Sequence, residues 1–200
     1  MKIKDEKKKD KSQVVKKKKD KKVKKHKDKK KLKFSLNIFK VDGVFKLIPL
    51  LINILIPLVA GLVVGYLNSG SMGIYNKLEK SVINPPALVF QIVWPILYIL
   101  MGIAAYRIYM RNKSGANDDG AYFYYLIQLV LNLLWPFVFF TFRLYGVSFV
   151  LIIVLLIIVA ITIYKFFKVD KRAGYLMIPY IAWLLFASIL NFFVYMLNEM

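Results

Sequence analysis

The stretch NPPALVFQIVWPILYILMGIAAYR, Asn84 to Arg107, decides how this chain is built. Its Pro-Pro pair can open a helix but cannot sit inside one, because proline lacks the N–H and its ring clashes with the preceding turn. The apolar run that follows is long enough to cross a hydrocarbon core at about 1.5 Å per residue. Phe90 or Gln91, Trp94, Tyr98, Gly102 and Ala105 recur at steps of three or four and so share one stripe of that helix. A helix surrounded by lipid has no need of such a stripe. This face reads as the wall of a pocket.

The rest of the composition agrees with a membrane protein. Of 200 residues 58% are hydrophobic, and the mean hydropathy is +0.53, too apolar for a soluble domain of this size. The formal charge of +20 is concentrated at one end. Residues 1–33 hold 19 of the 31 basic residues and 5 of the 11 acidic ones, a net +14. With almost no apolar content, residues 1–40 are expected to be a disordered, polybasic, cytoplasmic tail. The tail suits adhesion to anionic lipid head groups, or serves only to set topology. Nucleic acid is not expected as a partner, since no aromatics interleave with the lysines to stack bases.

Several chemistries are excluded. The chain has no Cys, and its one His, His26, lies in the lysine run. Histidine triads, thiolate or imidazole metal sites and an axial His for haem iron therefore have no residues in the apolar part. No metal and no cofactor are expected. No Asp or Glu falls inside an apolar span, which leaves paired-carboxylate catalysis and pump-type proton relays without carriers.

The spacing predicts an all-α membrane protein, a five-helix bundle over 46–198 with spans near 47–67, 86–109, 121–142, 146–167 and 173–197. Pro49 and Pro57 would bend the first span, and Gly61-x-x-x-Gly65 offers a close helix contact, either between two copies or within one bundle. The fourth span is nearly pure Leu, Ile and Val and is expected to face lipid. Lys and Arg cluster with the tail at the ends 107–113 and 165–172. By the positive-inside rule the N-terminus is then cytoplasmic and the C-terminus outside, in a multi-pass cell-membrane protein.

Two further stripes match the first. On the third span Gln128, Asn132, Trp135 and Phe139 step by four, three and four; on the fifth, Tyr180, Trp183, Ala187 and Asn191 step by three, four and four. Amides in hydrocarbon must find partners, so these faces point inward. Together the stripes would line an aromatic cavity with a few neutral hydrogen-bonding groups, the usual make-up of a small-molecule site. The same amides could instead only bond helix to helix.

These residues resemble the TspO/MBR family of translocator proteins and tryptophan-rich sensory proteins. The segments are Tyr75-x-x-Leu78-x-Lys80, Asn84-Pro85-Pro86, Phe90-x-x-x-Trp94-x-x-Leu97-Tyr98-x-x-Met101-Gly102, Gln128-Leu129-x-x-Asn132-x-x-Trp135 with Phe139-Phe140, and Pro179-Tyr180-x-Ala182-Trp183-x-x-Phe186-Ala187 with Leu190-Asn191. The resemblance implies a five-helix, commonly dimeric bundle that binds porphyrins or other hydrophobic small molecules as ligands rather than cofactors. It places the pocket at Tyr75, Pro85, Pro86, Phe90, Trp94, Tyr98, Asn132, Trp135, Trp183 and Ala187. The inward stripes add Gln128 and Asn191. Trp94 and Trp183 match the tryptophans associated with light-dependent porphyrin breakdown in some bacterial members, so any enzyme activity would be photo-oxidative.

Three positions depart from the family pattern. Ile74 stands where a Trp is usual, Ser81 where a Pro is usual, and Tyr195 lacks the basic residue that a sterol motif needs. Receptor or sensor is the reading the residues support. A transporter of small hydrophobic ligands, or a structural membrane protein without a ligand, are the alternatives.

Overall fold

The computed structural model describes residues 38–71, 73, 77–115 and 120–200. The lysine tail, Tyr75 and Ile74 lie outside the described residues. Residues 38–45 belong to a unit of their own, Met1–Phe45. There Val41 and Val44 exchange backbone hydrogen bonds of 3.0 and 2.9 Å across Asp42 and Gly43. Both central residues have positive φ, 50° and 79°, as an Asp-Gly turn of the hairpin type requires.

The second unit, Lys46–Met200, is all-α and among its described residues holds a bundle of five long helices. They are α1 (Leu47–Leu67), α2 (Ala87–Lys113), α3 (Ala121–Pro136, continued by a π turn Phe137–Thr141), α4 (Tyr145–Val169) and α5 (Lys171–Asn198). Each is long and apolar enough to cross a membrane. In contact order they run α1, α2, α5, α4, α3, with α3 returning to α1. Pro86 caps α2 in extended geometry (φ −56°, ψ 148°), so the helix begins one residue later, at Ala87. Pro136 has no N–H to give to Asn132, and the wider π turn follows it directly.

Small residues set the closest crossing. A methyl group on Gly102 would lie 2.5 Å from the Ile54 Cα and 2.6 Å from the Asn53 carbonyl oxygen, so α1 and α2 meet there backbone to backbone. A methyl on Gly61 would overlap the Tyr98 ring, whereas one on Gly65 would meet nothing within 4 Å. At Gly61 the GxxxG step thus serves packing inside the bundle.

α4 faces outward, as expected of a lipid-facing helix, on one side only. It is wedged between α3 and α5 and buries Ser148, Ile152, Leu155, Val159, Thr162, Ile163 and Phe166 along one stripe. Val147, Val150, Ile153, Val154, Ile157 and Tyr164 on the other side stand exposed. Ser148 and Thr162 mark the inner stripe, but the aliphatic residues that make up most of both faces read alike in sequence.

Candidate functional site

The aromatic stripe of α2 meets α5. Trp94 lies against Tyr98 (ring centroids 5.6 Å) and Tyr180 (6.5 Å), and Phe90 meets Trp183 edge-on at 5.5 Å. Trp183 also contacts Phe186 at 5.6 Å. Phe90 is half-buried and joins the stripe, while Gln91 is exposed. Ala187, one turn beyond Trp183, is buried. Pro85 is half-buried and Pro86 exposed at the head of α2.

A cavity of about 420 Å³ lies between α2 and α5, lined by Val93, Ile96, Leu97, Leu100, Pro179, Ala182, Trp183 and Phe186. On each helix the lining residues fall at i, i+3, i+4 and i+7, the spacing of one face. Ile96, Pro179 and Ala182 are exposed, so the cavity opens sideways on the outer surface of the bundle. Among the lining groups the Trp183 indole N–H stands out: it is buried and has no hydrogen-bond acceptor among the described residues. Apart from Trp183, none of these wall residues was among the expected site residues. An all-aliphatic stripe looks the same in sequence whether lipid or a ligand covers it.

The amides are occupied elsewhere. Asn132, 2% exposed, accepts a hydrogen bond from the Tyr98 hydroxyl (2.8 Å) and donates to the Tyr180 hydroxyl (3.0 Å), joining α2, α3 and α5. Trp135 donates its indole N–H to the Asn191 side-chain oxygen and the Ser148 carbonyl, both at 3.1 Å. Asn191 in turn donates to the Tyr145 carbonyl (3.0 Å). Trp135 stacks on Phe139 at 4.9 Å, and Phe139 meets Tyr145 at 5.2 Å. Trp135 and Asn191 thus belong to a network of α3, α4 and α5, while Phe90, Trp94, Tyr98 and Trp183 belong to the α2–α5 side. Gln128 is fully buried, and neither amide atom has a partner among the described residues.

The first loop is tied down at its far end. Glu79 donates its N–H to the Asn198 side-chain oxygen (3.0 Å), and Asn198 returns a hydrogen bond to the Glu79 carbonyl (2.9 Å). Leu78 packs on the cluster of Phe139, Tyr145 and Val194. Ser81, where the family usually has proline, opens a turn closed by the Asn84 N–H on its carbonyl at 3.0 Å.

At the opposite end of α2, Arg107 is buried and donates to Asp170 at 2.7 Å, each side chain 3% exposed. Asp170 also caps α5, accepting from the Arg172 and Ala173 N–H groups at 2.8 and 3.2 Å. Burial pushes the Asp170 carboxyl up, but the Arg107 hydrogen bond and charge and the two backbone donors hold it below the usual carboxylate range. Sequence spacing does not reveal this pair, because 63 residues separate its members.

The ordered tryptophans, the proline-headed α2 and the five apolar helices point to one family, and a family model decides it. The TspO/MBR family model matches residues 53–197. The chain belongs to the TspO/MBR family. Among its relatives, the tryptophan-rich sensory protein of Cereibacter sphaeroides is 38% identical over 124 residues, covering 62% of this chain and 76% of that protein. The tryptophan-rich protein TspO of Archaeoglobus fulgidus is 38% identical over 125 residues, covering 62% and 79%. The human translocator protein is 33% identical over 128 residues, covering 62% and 75%. With five apolar spans, this TspO/MBR member is a multi-pass membrane protein.

Proposed function

We propose that this protein is a membrane receptor or sensor that binds porphyrin-type tetrapyrroles against the aromatic faces of α2 and α5. The observation that carries the reading is Trp183. Its indole forms part of the wall of an apolar cavity, borders the Phe90–Trp94–Tyr98 stripe and holds an N–H with no acceptor among the described residues. A flat, hydrophobic macrocycle with hydrogen-bond acceptors suits such a wall. Under illumination one electron passes from an indole to the excited macrocycle, and dioxygen is the oxidant that ring breakdown then requires. Trp94 and Trp183 are the donors in this reading.

The same geometry separates the other polar and aromatic residues. Asn132, Trp135 and Asn191 find partners within the bundle, which supports a helix-bonding role for them beside the aromatic site. Charge supports a cytoplasmic N-terminus. Arg107 is neutralised by Asp170, yet Arg111, Lys113, Lys165, Lys168, Lys171 and Arg172 still outnumber Lys77, Lys80 and Arg143 at the other end. The lysine tail would add adhesion to anionic lipids. A homodimer through α1 would have the Gly65 side to use.

The test is a protoporphyrin titration of the purified protein in detergent, read by tryptophan quenching in the dark and by absorbance under light. Saturable quenching is expected, with new absorbing products on illumination. Quenching that only follows partitioning into micelles would overturn the binding reading, and flux into liposomes without product would favour a transporter.

A further inference from the structure

Almost every buried polar side chain of the bundle has its partner. Asn53 accepts from Tyr122 (2.9 Å) and donates to the Pro49 carbonyl (2.8 Å). Asn68 accepts from Thr141 (2.8 Å) and donates to the Val64 carbonyl (2.8 Å). Asn132, Asn191, Ser148 and Trp135 are bonded as described above. Against this background the inner face of α3 holds an exception. Gln128 is 0% exposed and Tyr125, one turn earlier, 2% exposed, and among the described residues neither amide atom of Gln128 nor the Tyr125 hydroxyl has a partner.

Residues three apart on a helix are neighbours, so the Gln128 amide and the Tyr125 hydroxyl face the same region of the interior. Together they offer three hydrogen-bond donors, two amide N–H and one hydroxyl, and two acceptor oxygens. Tyr180, which accepts from Asn132, retains a proton of its own to give. Leaving such groups dry in a hydrocarbon-like core is strongly unfavourable, and a small molecule that both donates and accepts, with two to four polar partners, relieves all of them at once.

We propose that Gln128 and Tyr125 hold ordered water inside the bundle. Two features favour water over the end of a larger ligand. First, the site lies four to seven residues into α3, roughly 6–10 Å from its start, the end where Arg107 and Asp170 are buried in the neighbouring elements. The site is thus within about two turns of the end of the bundle where charged groups are already gathered. Second, the Tyr98–Asn132–Tyr180 bridge, with bonds of 2.8 and 3.0 Å, lies one turn further along α3, on the way to the aromatic cavity. A ligand reaching Gln128 from Trp94 would have to break it. Gln128 is then a residue that keeps the interior hydrated and makes no contact with a bound porphyrin.

The test uses Gln128→Met, which keeps the length of the side chain and removes its hydrogen bonds. If the amide is bonded to water, thermal unfolding in detergent is expected to fall by about 3–8 °C. If it is dry and unpartnered, removing it relieves the penalty and the midpoint rises, which overturns the proposal. Hydroxyl-radical footprinting gives a second readout. Bound water activated in place should oxidise Tyr125 in the wild type despite its burial, and less so in Gln128→Met; an unlabelled wild-type Tyr125 overturns the proposal. Tyr125→Phe, which keeps the ring stacked on Phe166 at 6.1 Å, should show a smaller fall in midpoint if Gln128→Met cannot be purified. Protoporphyrin affinity of Gln128→Met should stay within about threefold of wild type. A tenfold loss would assign Gln128 to the ligand instead, leaving the receptor reading intact and refuting the water site.

Discussion

Asp170→Asn tests the architecture at its most concentrated point. The wild-type carboxylate does two jobs, closing a 2.7 Å ion pair with buried Arg107 and capping α5 through two backbone N–H groups. Asparagine can still cap, so the substitution isolates the charge. Removing one member of a buried pair strands the other and costs about 3–5 kcal/mol. The pair lies at the end of the bundle, with Arg111 a third exposed at 3.6 Å, so the lower part of that range applies, about 3 kcal/mol. For a chain of this size that is a fall of roughly 6–12 °C in unfolding midpoint by circular dichroism in detergent. Asp170→Ala also loses the cap and should cost about 1 kcal/mol more. Arg107→Met combined with Asp170→Asn should recover much of the loss, since no buried charge is left unpaired. The pH dependence follows from the sign. A carboxyl held below its unfolded value of about 3.9 contributes its full stability above that value and loses it as pH falls through the lower, folded pKa. Wild type should therefore be flat in this respect from about pH 5 to 8 and weaken below about pH 4, and Asp170→Asn should lack that acid-dependent part. Equal midpoints for wild type and Asp170→Asn would refute the assignment of the pair as a clamp between α2 and α5.

Trp94→Phe should abolish light-dependent porphyrin loss while keeping affinity within about threefold, whereas Trp183→Phe should abolish it and, lacking the indole N–H, also weaken binding about tenfold; normal photobleaching in both variants would remove the indoles from that role. Ala182→Phe puts a ring into the cavity from an exposed position, and should weaken protoporphyrin binding at least about tenfold in the titration with little change in unfolding midpoint. Gly102→Ala drives a methyl into the backbone of α1 and should cost about 1–3 kcal/mol, whereas Gly65→Ala should leave the monomer's stability unchanged. A change in oligomeric state by light scattering in Gly65→Ala alone would show that the open side of α1 is an interface between copies.

Five spans, their α-helical class and the TspO/MBR membership were legible in the chain, because an apolar run of membrane length has one low-energy conformation in lipid and because the tryptophan spacing recurs over three helices. The aromatic stripe of α2 was legible too, since Trp94 and Tyr98 stand out against an aliphatic background. Contrast is what made these features readable. Where contrast was missing, only tertiary structure decided: which aliphatic residues of α4 turn inward, that Gly61 receives the Tyr98 ring, and that Val93, Leu97, Pro179 and Ala182 share a cavity wall. Partnership was equally hidden. The amides of Asn132 and Asn191 read alike in sequence to that of Gln128, yet two are bonded across helices and one is not. Arg107 read as one of the charges that orient the chain, and the fold also buries it against Asp170. Local chemistry determines which segments enter the membrane. The packing of helices distant in sequence determines which polar groups inside it are satisfied, and so which remain to bind.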